Sequence, residues 1–126
     1  MGAIIDSSVW VALFLDADTQ HPKATRLFPV LALPIYVPYC VIVEVATVLT
    51  YKHSKEQADG FLKYLDGNRD IVLIDDTLQD EMLFFRSLAQ KISFTDAALI
   101  FLSKKLGVRL VTFDRQLKQI AKKTSV

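Results

Sequence analysis

Two aspartates follow the first and last apolar segments of this chain that are expected to form strands. Asp6 comes directly after the segment Ala3–Ile5, and Asp114 follows the segment RLVTF, which begins at Arg109. In an open α/β sheet, ligands bind at the edge where the parallel strands have their carboxyl ends. We therefore expect the two carboxylates to lie at the same edge of a sheet and to face one site.

Two further acids stand in helical segments that are otherwise apolar. Glu44 lies within YCVIVEVATVL, with a valine on each side, and Asp96 precedes the run AALIFL near the start of a later helix. A carboxylate among apolar side chains carries a desolvation cost unless it is paired or binds a metal. These two acids are therefore candidates for the same site as the strand-end aspartates.

Each acid taken alone also has a structural interpretation. Asp6 and Asp114 could cap the helices that follow them. Asp96 in a first helical turn would gain roughly 0.3–1 kcal/mol from the helix dipole. Glu44 could pair with a lysine or face water. Four acids in such positions nevertheless favour one shared site.

Four converging carboxylates require a counterion. Two carboxylates about 4 Å apart repel by about 4 kcal/mol at an effective dielectric constant of about 20, so they would raise one another's pKa. Mg²⁺ or Mn²⁺ prefers oxygen ligands and keeps several waters, which suits such a site. Zinc is not indicated, because His21 and His53 are far apart in sequence and Cys40 has no partner at ligand spacing.

A divalent ion held by carboxylates on an α/β domain is typical of phosphoryl chemistry, in which the ion activates a water and stabilises the leaving oxygen. The substrate would need cationic contacts nearby. Arg115, Lys118 and Lys122 recur at helical spacing after the last acid. They could form one basic ridge beside the ion and contact RNA, or they could be a solvated helix face.

The elements that position these acids alternate between strands and helices. Short apolar segments predict strands over residues 3–5, 35–37, 71–74 and 109–113. Helical spacing predicts helices over residues 9–15, 21–31, 39–49, 55–65, 77–91 and 92–106, and a last helix that carries Leu117 and Ile120. Asp75 and Asp76 are expected to cap the helix over 77–91. This alternation predicts an α/β fold with a mainly parallel sheet covered on both faces.

Composition limits the class of protein. A chain of 126 residues with 52% hydrophobic and 23% charged residues fits one globular domain over residues 1–126. The net charge of +1 gives no global basic field, so any nucleic-acid contact must be local. A single cysteine, the lack of a signal-peptide pattern and the short apolar runs predict a cytoplasmic domain with no membrane contact.

Three blocks, in order, cover the chain almost from end to end: IIDSSVWVALFL, VPYCVIVEVATVL and ISFTDAALIFLSKKLGVRLVTFDRQL. The chain resembles the PIN-domain nucleases, and especially the small ribonuclease toxins of VapBC-type toxin–antitoxin pairs. The resemblance implies a three-layer α/β/α sandwich around a mainly parallel sheet. It also implies that Asp6, Glu44, Asp96 and Asp114 are the catalytic, metal-binding acids around Mg²⁺ or Mn²⁺.

The resemblance extends to two hydroxyl side chains beside these acids. Thr112 matches the family's hydroxyl residue two positions before the last acid, and Ser8 matches a small polar position near the first. Both are expected to support the site. Leu99-Ile100 and Arg115-Gln116 stand where many relatives carry further acids, which leaves the number of ions open between one and two.

The resemblance further implies cleavage of single-stranded or looped RNA, often tRNA or ribosomal RNA, by a metal-activated water. It implies a homodimer that is inhibited by a small antitoxin whose C-terminal segment covers the acidic groove. The leading hypothesis is therefore a metal-dependent endoribonuclease that acts as a toxin. An RNA-processing nuclease without an antitoxin and a non-catalytic PIN-like module that binds RNA or protein remain alternatives. A phosphoreceiver domain fits less well, because its lysine beyond a late strand has no clear match.

Overall fold

The computed structural model describes residues 1–126, and its four strands form one parallel sheet. The strands are β1 (Ala3–Ile5), β2 (Ile35–Pro38), β3 (Ile71–Ile74) and β4 (Arg109–Val111). Their order in the sheet is β3-β2-β1-β4, and all three pairings are parallel. Ala3 pairs with both Ile35 and Arg109, so the carboxyl end of β1 lies between those of β2 and β4.

Seven α-helices flank the sheet. They are α1 (Ser7–Phe14), α2 (His21–Leu27), α3 (Tyr39–Lys52), α4 (Lys55–Leu65), α5 (Leu78–Ser87), α6 (Phe94–Leu106) and α7 (Arg115–Lys123). Helix α6 packs against β1 and β4, and α3 packs against β2. The three-layer α/β/α architecture with a parallel sheet is confirmed. No helix combines the length and apolar character needed to cross a bilayer.

The core fixes the central strand and the helix that follows it. All three residues of β1 are buried, and Trp10 of α1 is fully buried. Its indole ring meets Phe61 of α4 with ring centroids 5.5 Å apart, inside a larger aromatic cluster. Aromatic pairs of this geometry add to the stability gained from burial. The start of α1, which carries Ser7 and Ser8, is therefore held firmly against the end of β1.

Helix α6 begins at Phe94, two residues after the predicted start, and has a capping residue at each end. The Ser93 hydroxyl accepts a hydrogen bond from the Asp96 backbone N–H at 3.0 Å, as an N-cap does. The helix ends at Gly107, whose φ of 67° lies in the left-handed region that favours glycine. This start places Asp96 in the first turn of α6, at the edge of the sheet.

Several predicted elements differ from the structure, among them β4, which ends at Val111 and not at residue 113. The helix expected over residues 21–31 ends at Leu27 and continues only as a 3₁₀ turn, because Pro29 lacks the N–H that the next helical bond requires. Strand β3 is not covered on both faces as expected. Val72 and Leu73 are 38% and 52% exposed because β3 is an edge strand.

The capping role predicted for Asp75 and Asp76 is wrong. Thr77 occupies the N-cap position of α5, and its hydroxyl donates to the Glu81 carboxylate one turn later. Both aspartates lie before the N-cap, too early in the chain to reach the free N–H groups of the first turn. Helix α5 also ends at Ser87, four residues before the predicted end at Lys91.

Candidate active site

Asp6 is fixed at the carboxyl end of β1, and one of its two carboxylate oxygens has no hydrogen bond from the protein. Its backbone N–H donates to the Val111 carbonyl at 2.9 Å, and the residue is 7% exposed. The carboxylate Oδ2 accepts hydrogen bonds from the Thr112 hydroxyl at 2.7 Å and from the Ser8 hydroxyl at 3.2 Å. No protein group donates to Oδ1. The structure thus brings both predicted supporting hydroxyls to the same oxygen of Asp6 and leaves the other free for a ligand.

Asp114 both caps a helix and reaches the same site. Its Oδ1 accepts hydrogen bonds from the backbone N–H groups of Gln116 at 2.9 Å and Leu117 at 3.2 Å, which begin α7. The capping interpretation is therefore correct for this residue. Its own N–H donates to the Thr112 hydroxyl at 3.0 Å. The cap uses only one carboxylate oxygen, so Oδ2 remains available.

Asp96 lies close enough to the other three acids for their charges to act on it. Burial, together with the charges of Asp6, Asp114 and Glu44 in decreasing order of effect, raises the pKa of this half-buried carboxyl from 3.8 to about 6. Like charges have such an effect only at short range. The other three acids singled out in the sequence therefore lie within electrostatic range of Asp96.

Glu44 is exposed, which corrects the expectation that it sits in apolar surroundings. Helix α3 buries Val41, Val45 and Leu49, which lie one turn apart on a single face. Val43 and Glu44 point away from that face, and Val43 is itself 46% exposed. Apolar neighbours in the sequence therefore do not bury Glu44, and its carboxylate stands at the solvent side of the site.

The donor set fits a hard divalent cation. No three acidic, histidine or cysteine side chains lie close enough together to surround an ion as they stand. Mg²⁺, however, needs only one or two protein carboxylates because it keeps several waters. Asp6 and Asp114 each offer an oxygen that no protein group occupies. A cation at this place would offset the like charges that contribute, after burial, to the raised pKa of Asp96.

A small cleft beside the acids contains a lysine that the sequence analysis did not single out. The cleft has a volume of about 170 Å³ and is lined by Asp96, Asp114, Ser93, Gln116 and Lys91, among others. Lys91 lies in the segment between α5 and α6. The predicted helix over 77–91 ends at Lys91 and gives no sign of a role at the site. The one signal in the sequence is that Lys91 lies five residues before Asp96.

The three basic residues predicted on α7 share one exposed side of that helix. Arg115, Lys118 and Lys122 are all exposed. The cleft is lined instead by Gln116 and Ile120, which project from the other side at helical spacing. The basic ridge therefore exists as a surface, but it does not line the cleft, and its contact with RNA stays a prediction.

Comparison with known proteins identifies the family. The sequence model of the PIN domain matches residues 3–123. The chain belongs to the PIN domain family. A search of curated proteins by sequence finds no significant match.

Two solved structures share this fold. The first is VapC20 of Mycobacterium tuberculosis, described as a sarcin–ricin loop cleaving toxin, with a TM-score of 0.83, 20% identity and coverage of 94% of both chains. The second is VapBC2 of Rickettsia felis, solved bound to a DNA fragment from its promoter. It has a TM-score of 0.67 and 16% identity, covering 95% of this chain and 93% of that chain. At these identities the likeness shows the fold.

Proposed function

We propose that this chain is a divalent-metal-dependent endoribonuclease and the toxin of a toxin–antitoxin pair, acting in the cytoplasm as a single PIN domain. The observation that carries the proposal is the electrostatic coupling of Asp96 with Asp6, Asp114 and Glu44 at the carboxyl edge of the sheet. Membership of the PIN family and the fold shared with VapC20, a sarcin–ricin loop cleaving toxin, support single-stranded or looped RNA as the substrate.

The side chains of the site have distinct roles in this proposal. Asp6, Asp96 and Asp114 would hold Mg²⁺ or Mn²⁺, and Glu44 would complete the ligand set or orient the attacking water. The bound ion would supply positive charge to the phosphodiester and lower the pKa of a water. Thr112 and Ser8 hold the Asp6 carboxylate in one orientation, as partners of metal ligands do.

The charges around the cleft also fit a phosphodiester substrate. Lys91 lines the cleft next to Asp96 and Asp114, so its ammonium group can contact a phosphate beside the ion. The first-turn N–H groups of α7 donate hydrogen bonds to Asp114 Oδ1, so Asp114 Oδ2 is free to bind an ion. The Asp114 carboxylate is therefore held in one orientation before the ion and the RNA arrive.

Exposed apolar side chains on α5 and β3 support the proposed homodimer. Those that are 38–61% exposed are Val72, Leu73, Leu78, Met82 and Leu83. Large apolar side chains left in water are candidates for burial in a protein interface. A VapB-like antitoxin is the second proposed partner, and the fold shared with VapBC2 supports it. Its C-terminal segment would cover the acidic groove.

Cleavage of RNA by the purified protein tests the proposal. We expect cleavage in Mg²⁺ or Mn²⁺ that stops when EDTA is added. Asp6→Asn and Asp96→Asn should lower kcat/KM by more than the roughly 100-fold that outer partners of metal ligands produce. Asp70→Asn, an exposed acid before β3, is the matched control and should retain full activity. Wild-type activity in either site variant would exclude this site.

A non-catalytic module that binds RNA or protein is the second candidate, because the acids do not form a ready-made metal site. Titration with Mn²⁺, followed by calorimetry, distinguishes the two. A nuclease should bind the ion through Asp6 and Asp96, whereas a module should show no binding that these residues affect. A nuclease without an antitoxin differs from the toxin only in its partner, so co-purification with the product of a neighbouring short reading frame separates those two.

A further inference from the structure

A second cavity lies at the same edge of the sheet, at the ends of β2 and β3. Its volume is about 240 Å³, and its walls include Tyr39, Cys40, Asp75, Glu81 and Phe94. Pockets for drug-sized ligands are usually about 300–1,000 Å³. The cavity is therefore suited to a smaller group, such as one planar ring system.

The cavity adjoins the candidate active site through two helices. Tyr39 and Cys40 begin α3, and Glu44 lies about one turn further along the same helix. Phe94 begins α6, two residues before Asp96. Because β2 lies next to β1 in the sheet, a polymer bound across the carboxyl edge can reach both the cavity and the acids. The cavity is thus placed to receive one unit of a substrate whose backbone lies at the acids.

Glu81 is a buried carboxylate with unused acceptor capacity at this cavity. It is 6% exposed, and its Oε2 accepts a hydrogen bond from the Thr77 hydroxyl. No protein group donates to Oε1. Oε1 is not sealed off from solvent, so an occupant that displaces water from it must supply an N–H group in its place. The exposed acid Asp75 adds a second acceptor at the rim.

The walls of the cavity suit a flat aromatic ring. Phe94 packs against Phe85 with ring centroids 5.5 Å apart, which holds its ring in place. The Tyr39 ring is 62% exposed at the opening. Unpaired RNA bases stack on such side chains and are read through hydrogen bonds to their exposed edges.

We propose that this cavity is a base-binding subsite that takes one unpaired guanine of the RNA, next to the phosphodiester that is cut. This inference rests on the proposed ribonuclease function. The Watson–Crick edge of guanine carries two adjacent donors, N1–H and the N2 amino group, which match the acceptor-only carboxylate of Glu81. Adenine and cytosine place an acceptor beside the donor, and uracil flanks its one donor with two carbonyls. A carboxylate disfavours these arrangements, and a guanine in a duplex cannot offer this edge.

Binding of mononucleotides to the full chain tests the subsite without cleavage. We expect guanosine 5′-monophosphate to shift the backbone amide resonances of Tyr39, Asp75 and Phe94 in NMR spectra, and adenosine 5′-monophosphate to shift them far less. Glu81→Gln keeps the volume and an acceptor for Thr77, and it should abolish this difference. Glu56→Gln, an exposed glutamate on α4, is the matched control. Equal shifts with both nucleotides, or none at the cavity, would overturn the subsite.

An exposed position provides a second test that does not depend on changing a buried residue. Tyr39→Ala should remove most of the guanosine 5′-monophosphate shifts, whereas Tyr39→Phe should retain them because the ring is preserved. Equal binding by these two variants would contradict stacking at Tyr39 and with it the subsite.

Cleavage of a randomised RNA separates this inference from the proposed function. The wild type should prefer guanine at one position near the cut, and inosine there, which lacks the N2 amino group, should lower kcat/KM by about tenfold. Glu81→Gln should still cleave but lose this discrimination. If Glu81→Gln cleaves RNA with the same base preference as the wild type, the subsite is overturned and the proposed ribonuclease function stands. Selective guanosine 5′-monophosphate binding without any RNA cleavage overturns the proposed function alone. Loss of partner-protein binding in Glu81→Gln, with unchanged base preference, would assign the cavity to a protein side chain instead.

Discussion

The Thr112 hydroxyl donates a hydrogen bond to Asp6 Oδ2 at 2.7 Å, joining two residues that are 106 positions apart in the chain. The same hydroxyl accepts the backbone N–H of Asp114 at 3.0 Å. This arrangement exists because β1 and β4 are parallel neighbours whose carboxyl ends meet. One buried side chain therefore holds two of the candidate metal ligands at once.

Thr112→Val should disturb the fold and the site together. Valine has the same shape but lacks the hydroxyl, so the buried Asp6 carboxylate loses its shortest hydrogen bond. We expect a loss of about 1–3 kcal/mol in the free energy of unfolding, measured with urea, and weaker Mn²⁺ binding. Thr112→Ser keeps the hydroxyl and should retain metal binding. Equal behaviour of the two variants would show that the hydrogen bonds are unimportant.

The raised pKa of Asp96 predicts a pH-dependent stability in the metal-free protein. Its folded-state pKa is about 6 against an ordinary 3.8, so the folded state binds the proton more tightly. Stability is therefore fully present below about pH 4 and falls as the pH rises towards 6. Since the group is partly solvated, we expect a loss of about 1 kcal/mol.

Asp96→Asn tests this dependence, because the amide does not ionise. With EDTA present, the variant should be more stable than the wild type at pH 7 and equally stable at pH 4, as measured by urea unfolding. Asp70→Asn is the control and should follow the wild type at both pH values. A stability difference between Asp96→Asn and the wild type that does not change with pH would contradict the assigned cause.

The sequence was sufficient to predict the sheet, because short apolar strands alternating with longer helical segments have few parallel arrangements. It was also sufficient for the acids at strand ends: the end of a strand is visible in the chain as the point where apolar residues stop. Asp6 lies directly after β1, as that argument predicts, whereas β4 ends at Val111 and Asp114 follows three residues later as the N-cap of α7. The predicted helix over 92–106 is likewise present as α6, with Ser93 as its N-cap and Gly107 as its C-cap.

Other features depend on packing that the sequence does not display. Glu44 is exposed although valines surround it in the chain, because only one face of α3 meets the core. The early end of α5 at Ser87 moves Lys91 from a helix surface to the wall of the cleft. The cavity beside Glu81 is formed by residues from α3, α5, α6 and the end of β3. These residues are far apart in the sequence, so no single motif predicts the cavity.

Binding of a divalent ion should stabilise the protein through the acids. At about 100 times its dissociation constant, Mn²⁺ should raise the free energy of unfolding by about 2.7 kcal/mol and the Tm by about 10 °C. Asp6→Asn removes a ligand and should abolish most of this increase. Asp70→Asn should retain it. A Tm increase of equal size in all three proteins would indicate binding of the ion elsewhere.

The two groups of cations near the site should differ in their contribution to RNA binding. Lys91 lines the cleft beside Asp96, whereas Arg115, Lys118 and Lys122 lie on a separate exposed side of α7. Each lysine or arginine that contacts a phosphate contributes a slope of about −0.7 to the dependence of log K on log salt for single strands.

Affinities of an uncleaved RNA, measured in Ca²⁺ across a series of salt concentrations, compare the two groups. Lys91→Ala should reduce the slope by about one contact and lower kcat, because the proposed RNA path puts the reacting phosphate in the cleft that Lys91 lines. Replacing Arg115, Lys118 and Lys122 together by alanine should reduce the slope further but leave kcat close to that of the wild type, because these residues lie outside the cleft. An unchanged slope in the triple variant would show that the basic side of α7 does not contact the RNA. An unchanged slope in Lys91→Ala would show the same for Lys91.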